Sequence, residues 1–127
     1  MCRMMGLGID LCAIARMERL LAEGGAFLRR YFTEEEQAYL KARGNMAGQS
    51  MAAMFAAKEA LLKAMGLSLG SGVELRDIAV LHDKNGRPFY GLTGKAAEKL
   101  AALGAKEAFV SLTHEGDMAA AVAVIQG

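Results

Sequence analysis

Tryptophan is absent from this 127-residue chain, proline occurs once, and cysteine and histidine occur twice each. A single proline excludes a proline-rich linker or stalk. Two cysteines, Cys2 and Cys12, are too few for a disulfide framework and lack partners for a zinc site, so they read as free thiols. Charge of one sign is also missing: 15 Lys and Arg stand against 14 Asp and Glu, a net of +1. No basic stripe for nucleic acid and no acidic tail results. No run approaches the roughly 20 apolar residues a membrane helix needs. The run from Met4 to Ile9 stops at Asp10, short of a signal-peptide core. A soluble, cytoplasmic protein that touches neither nucleic acid nor membrane is expected.

What is present is small and adaptable. Hydrophobic residues make up 54%, with 24 Ala and 9 Met against 5 Phe and 3 Tyr. Such a composition predicts a thin core whose elements approach closely. A deep pocket enclosed by this chain alone looks hard to build. No linker or repeat divides the sequence, so residues 1–127 read as one domain.

Met4 to Ile9 reads as a short buried strand, and its Gly6 and Gly8 suggest close approach by another backbone or a ligand. Helical spacing follows from Leu11 to about Glu23, ending at Gly24-Gly25. Thr33-Glu34-Glu35-Glu36 is a capping box, which explains the acidic run without a metal. The longest helix spans about Met46 to Met65, with Gly66 as its C-cap. A glycine-rich loop, Gly66 to Gly72, precedes a strand from Ile78 to His82. The Asn85-Gly86 turn leads to a return strand, Phe89 to Leu92. Thr93 is placed to cap a helix from Gly94 to Leu103. Strands Ala108 to His114 and Met118 to Ile125 close the chain. The order predicts an α+β fold, a mainly antiparallel sheet packed against a long central helix and shorter helices.

Gly6-x-Gly8-x-Asp10 lacks the third glycine of a dinucleotide fingerprint, because Leu11 stands there. Spacing alone favours Asp10 as the N-cap of the first helix over a catalytic carboxylate. Phe55, Glu59 and Lys63 share a helix face at i, i+4, i+8. A carboxylate beside Phe55 would be partly desolvated and could bind a divalent cation or act as a base. The plainer reading is a Glu-to-Lys pair on a wet helix. In Ser111-Leu112-Thr113-His114, alternation puts Leu112 and His114 on one face and Ser111 and Thr113 on the other. The Gly66 to Gly72 loop could cradle a phosphate but is no P-loop.

Taken together these segments form an ordered set: Gly6-Leu7-Gly8-Ile9-Asp10, Phe55-Ala56-Ala57-Lys58-Glu59-Ala60 with Lys63, Asp77-Ile78, Asn85-Gly86-Arg87-Pro88, and Ser111-Leu112-Thr113-His114. In this order and spacing, from Gly6 to Ile125, the chain resembles the holo-[acyl-carrier-protein] synthase family, the short bacterial 4'-phosphopantetheinyl transferases. The resemblance implies transfer of phosphopantetheine from coenzyme A to a serine hydroxyl of apo acyl carrier protein, releasing adenosine 3',5'-bisphosphate. It implies Mg²⁺ held by Asp10 and Glu59, with Lys63 facing the phosphates. The proton acceptor is Glu59, Asp10 or a metal-bound water.

By the same likeness Gly66, Gly70, Asn85, Gly86, Arg87, Pro88, Thr113 and His114 contact coenzyme A. Arg16, and Arg19 beside it, grip the acidic carrier protein, with Arg29-Arg30 as reinforcement. Met54 departs from the family, which often has Arg there. A homotrimer with active sites between subunits is implied, which would relieve the shortage of walls in one chain. The competing reading is a non-catalytic nucleotide- or coenzyme A-binding α+β module, which needs the loops but no carboxylate pair.

Overall fold

Helix α4 (Ala47–Ala64) runs through the middle of the molecule. Met51 to Ala57 are buried without a break, so every side of the helix is covered. A helix apolar all round has no wet face to present and becomes the core itself. The computed structural model describes residues 3–68 and 70–127. Cys2, one of the two expected thiols, and Leu69 of the glycine-rich loop lie outside the described residues.

Strands β1 (Met4–Ala13), β4 (Glu107–Glu115) and β5 (Met118–Gln126) form an antiparallel sheet ordered β1-β5-β4 against one side of α4. Along β5 the inward positions are Ala119, Ala121, Ala123 and Ile125, all buried. Three alanines in a row keep that surface low, and the helix settles close to the sheet. On β1 the inward positions begin with Gly6 and Gly8. A Cβ at residue 8 would lie 1.9 Å from the Ala60 carbonyl oxygen, and one at residue 6 would lie 1.9 Å from that of Ala64. The expected close approach of a backbone to these glycines is therefore met by α4.

The other sides of α4 are covered by α1 (Ile14–Ala22), α3 (Glu34–Ala42) and the hairpin β2 (Ile78–His82) with β3 (Pro88–Leu92). The short α2 (Ala26–Tyr31) and α5 (Gly94–Ala102) complete the fold. The α+β class holds, with the antiparallel strands split into a three-stranded and a two-stranded sheet.

The Thr33 capping box forms, and its Glu36 does more. Glu36 is fully buried; one carboxylate oxygen accepts from Lys58 Nζ at 2.8 Å and the other from the Val80 N–H at 2.9 Å. Lys58, equally buried, also donates to the carbonyls of Ile78 at 2.7 Å and Leu75 at 3.1 Å. Burial pulls its ammonium pKa down to about 8, against the opposing pull of Glu36. An ion pair this dry tolerates the loss of neither partner.

Several local expectations give way to tertiary pairing. Strand β1 continues past Ile9 to Ala13, because Asp10 to Ala13 pair with Ala121 to Met118 of β5. Asp10 is therefore a strand residue and not a helix cap. Ala13 occupies the cap position without a side-chain bond, and the Ile14 N–H finds the Asp117 carbonyl instead. Thr93 likewise makes no cap bond; its hydroxyl donates to the Asp77 carboxylate at 3.2 Å. The hairpin turn forms at Asp83 to Gly86 as expected; Asp83 and Arg87 close it and, of its residues, only Gly86 has positive φ. Helix α2, one and a half turns after Gly25, was too short to show periodicity. Cys12 is a buried free thiol, as expected.

Gly8→Ala should cost at least about 2 kcal/mol in urea unfolding, since the methyl meets a carbonyl that can move only by shifting the helix. An unchanged unfolding midpoint in that variant would contradict the close contact between β1 and α4.

Candidate active site

The crossing of β1 over α4 gathers one group of candidate residues. Inward alternation of β1 aims Asp10 at the helix face carrying Phe55, Glu59 and Lys63. Lys63 Nζ donates to Asp10 Oδ1 at 2.8 Å and to the Ile9 carbonyl at 3.0 Å. The expected Glu59–Lys63 pair is absent among the described residues, because Asp10 takes the lysine. Contact with Asp10 holds the exposed Lys63 ammonium above its ordinary pKa.

Glu59 is left half-buried without a dedicated cation. Desolvation first, and the neighbouring Asp10 carboxylate second, push its pKa up to about 7; Arg16 and Lys63 oppose the shift. Two adjacent carboxylates favour sharing one proton or one divalent cation. No group of three or more His, Cys, Asp or Glu side chains capable of holding a metal occurs among the described residues. A pair of hard carboxylates nevertheless fits Mg²⁺, which takes one or two and fills its other positions with phosphate oxygens and water.

A second group lies elsewhere. Between the edge of β4, the β2–β3 turn and α3 is a cavity of about 600 Å³ lined by Gly86, Arg87, Pro88, Thr113 and His114. His114 Nε2 lies 3.1 Å from Gln49 Nε2 at the start of α4. Thr113 belongs to the exposed outer face of β4, as alternation predicts. Tyr39, Arg43 and His82 line the side toward α3 and β2, and among the described residues no carboxylate lines the cavity. The rings of Tyr39 and His82 stack at 4.0 Å, and His82 Nδ1 is buried without a partner. Sequence reasoning missed this wall, since α3 and β2 carried no motif pointing to each other. Asn85 sits in the turn without lining the cavity, and Gly70 lines neither depression. Gly66 borders a depression of about 360 Å³ beside Lys63.

Neither of these two depressions, as lined by the described residues, holds both groups. His114 touches α4 at Gln49, while Asp10 is held by Lys63; these helix positions are about four turns, roughly 21 Å, apart along the axis. Meanwhile the outer face of β1 exposes Leu7, Ile9 and Leu11, with Ile9 64% exposed, and Phe109 of β4 adds to it. A contiguous apolar face of this kind marks an interaction surface.

Residues 6–123 match the model of the 4'-phosphopantetheinyl transferase superfamily. A holo-[acyl-carrier-protein] synthase of Treponema denticola is 46% identical over 123 residues, covering 97% of this chain and 98% of that protein. The chain belongs to the holo-[acyl-carrier-protein] synthase family of 4'-phosphopantetheinyl transferases. Its fold superposes on the synthase of Neisseria meningitidis with a TM-score of 0.88 and 30% identity, over 98% of this chain and 100% of that one. The Helicobacter pylori synthase, solved in complex with coenzyme A, matches with a TM-score of 0.80 and 28% identity, over 94% of this chain and 98% of that one.

Two family positions need comment. Met54, where the family often has Arg, is fully buried, so no ligand reaches it; Arg43 and Arg87 carry the guanidinium groups at the cavity. Arg16 rests over the rings of Phe55 at 5.3 Å and Phe27 at 6.0 Å, and forms no ion pair among the described residues. Arg19 lies 4.0 Å from Glu23, an exposed contact of little energetic weight. Among the described residues no helix is long and apolar enough to cross a membrane.

A raised carboxyl pKa means that the folded protein holds a proton the unfolded chain has released. The contribution of Glu59 to stability therefore falls as pH rises from about 4.5 to about 7. In chelator, Glu59→Gln should melt higher than wild type at pH 8, with the gap closing toward pH 4. A gap that does not change with pH would contradict the assignment.

Proposed function

We propose that residues 1–127 form one transferase domain, a Mg²⁺-dependent holo-[acyl-carrier-protein] synthase working in the cytoplasm. It moves 4'-phosphopantetheine from coenzyme A to a serine of apo acyl carrier protein and releases adenosine 3',5'-bisphosphate. The observation that carries this reading is the half-buried Asp10–Glu59 pair with Lys63 bonded beside it. A non-catalytic coenzyme A-binding module would have no use for two carboxylates held together at a cost in desolvation.

In the reaction the serine oxygen bonds to the phosphorus carrying pantetheine, and that phosphorus separates from the bridging pyrophosphate oxygen. Asp10 and Glu59 would hold Mg²⁺, which when bound neutralises charge on the pyrophosphate oxygens. Glu59, Asp10 or a water held beside them would accept the serine proton. Lys63, bonded beside the carboxylate pair and largely exposed, would face the leaving bisphosphate and balance its charge. Gly66 and Gly70 offer backbone near the phosphates. The Asn85-Gly86-Arg87-Pro88 turn, Thr113 and His114 hold the nucleotide end, in a cavity whose lining is cationic or neutral. Arg16 and Arg19, with Arg29 and Arg30, steer the acidic carrier.

The separation of the two groups supports a homotrimer in which each active site takes Asp10, Glu59 and Lys63 from one subunit and the turn, Thr113 and His114 from the next. The exposed outer face of β1 and β4 is the surface available for that assembly.

Incubation with apo carrier protein, coenzyme A and Mg²⁺ should add one phosphopantetheine to the carrier, read by mass spectrometry; an unchanged carrier mass overturns the reading. Glu59→Ala should lower turnover at least about 100-fold with the fold retained. On dilution, light scattering should show trimer giving way to monomer, and specific activity should fall with the trimer fraction. Full activity in a monomer would refute the shared site.

A further inference from the structure

Lys58 stands inside the Phe55 to Ala60 motif, next to Glu59, yet takes no part in the chemistry above. Its ammonium is completely buried, and its three donors meet three acceptors: Glu36 Oε1, the Leu75 carbonyl and the Ile78 carbonyl. Those carbonyls bracket the 3-10 turn Leu75–Asp77, through which the chain passes from the glycine-rich loop into β2. Glu36 also accepts from the Val80 N–H on β2. On the return strand the Tyr90 hydroxyl donates to the Ala57 carbonyl at 2.6 Å. Both strands of the hairpin are thus fastened to α4 at residues 57 and 58, adjoining Glu59.

A dry ion pair adds little to stability compared with an aliphatic pair of the same volume. What it adds is direction, because three hydrogen bonds fix where the carbonyls lie, and an aliphatic chain would let them slide. We propose that Lys58 is a positioning residue, which holds the β2–β3 hairpin and its Gly86–Pro88 turn in the orientation that binds coenzyme A. This rests on the reading above that the turn holds the nucleotide end. On that same reading the carrier is bound through α1 and α2; Arg76 of the 3-10 turn donates to the Arg29 carbonyl of α2, so Tyr90→Phe, which leaves that turn alone, is the variant in which carrier binding stays unchanged.

The test uses the full chain carrying Glu36→Gln with Lys58→Met, so that no lone charge stays buried. Tyr90→Phe loosens the same hairpin without touching a charge, and it decides the matter if the double variant does not fold. With folding checked by circular dichroism, KM for coenzyme A should rise about fivefold, and in Tyr90→Phe KM for the carrier should stay within about twofold of wild type. A purely structural role would lower the active fraction and leave both KM values alone, and that result overturns the proposal. Calorimetric titration of coenzyme A separates this idea from the transferase reading. Weaker binding in the variants upholds the role of Lys58 even if wild type transfers nothing. Unchanged binding overturns it even if wild type is an active transferase.

Discussion

Contact between two backbones, β1 against α4, is the constraint on which the rest of the molecule depends. Gly6 and Gly8 admit the Ala64 and Ala60 carbonyls to a distance that any side chain would forbid. That approach sets the height of β1 over the helix. It decides that Asp10, the next inward residue, reaches the Glu59–Lys63 face rather than solvent. The alanines of β5 continue the same low surface across the sheet. The high Ala content is therefore a statement about separation between layers. It provides little enclosed volume, which fits the finding that neither depression is walled by all of the candidate residues.

Ionisable groups meet two contrasting environments around one helix. Lys58 and Glu36 are dry and fully partnered, so their charges are spent on holding segments in place. One residue further along, Glu59 is only half-buried and faces a like charge. The first arrangement is quiet, and the second stores unfavourable electrostatics that a cation or a proton relieves. Neighbouring positions on a helix point about 100° apart, which lets α4 serve both purposes without conflict.

Much of this was legible in the sequence, and the reasons are physical. The Thr33 capping box, the span of α4 with its Gly66 terminus, and the β2 strand rest on local signals and appear where expected. The Gly6/Gly8 argument was also local, since a glycine in a strand announces a near neighbour. Failures came where partners distant in the chain decide. Asp10 looked like a cap because a helical pattern begins at Leu11, and only pairing with β5 keeps the strand going to Ala13. Lys63 looked like a partner for Glu59 because four residues separate them, until β1 brought a better one. Lys58 stood in the Phe55 to Ala60 motif but received no role of its own, since its partners lie 17 to 22 positions away. The Tyr39–His82 wall was invisible for the same reason.

The atoms that crowd Gly6 and Gly8 are carbonyl oxygens, and this has a genetic consequence. When a large residue clashes with a side chain, a second mutation that trims the neighbour can restore the fit. Here the neighbour is main chain, identical for every residue type, so no substitution at Ala60 or Ala64 makes room. Suppressors of a change at either glycine would have to tilt the whole strand or helix, and in doing so would move Asp10 away from Glu59. A screen for revertants at these two positions should return glycine itself.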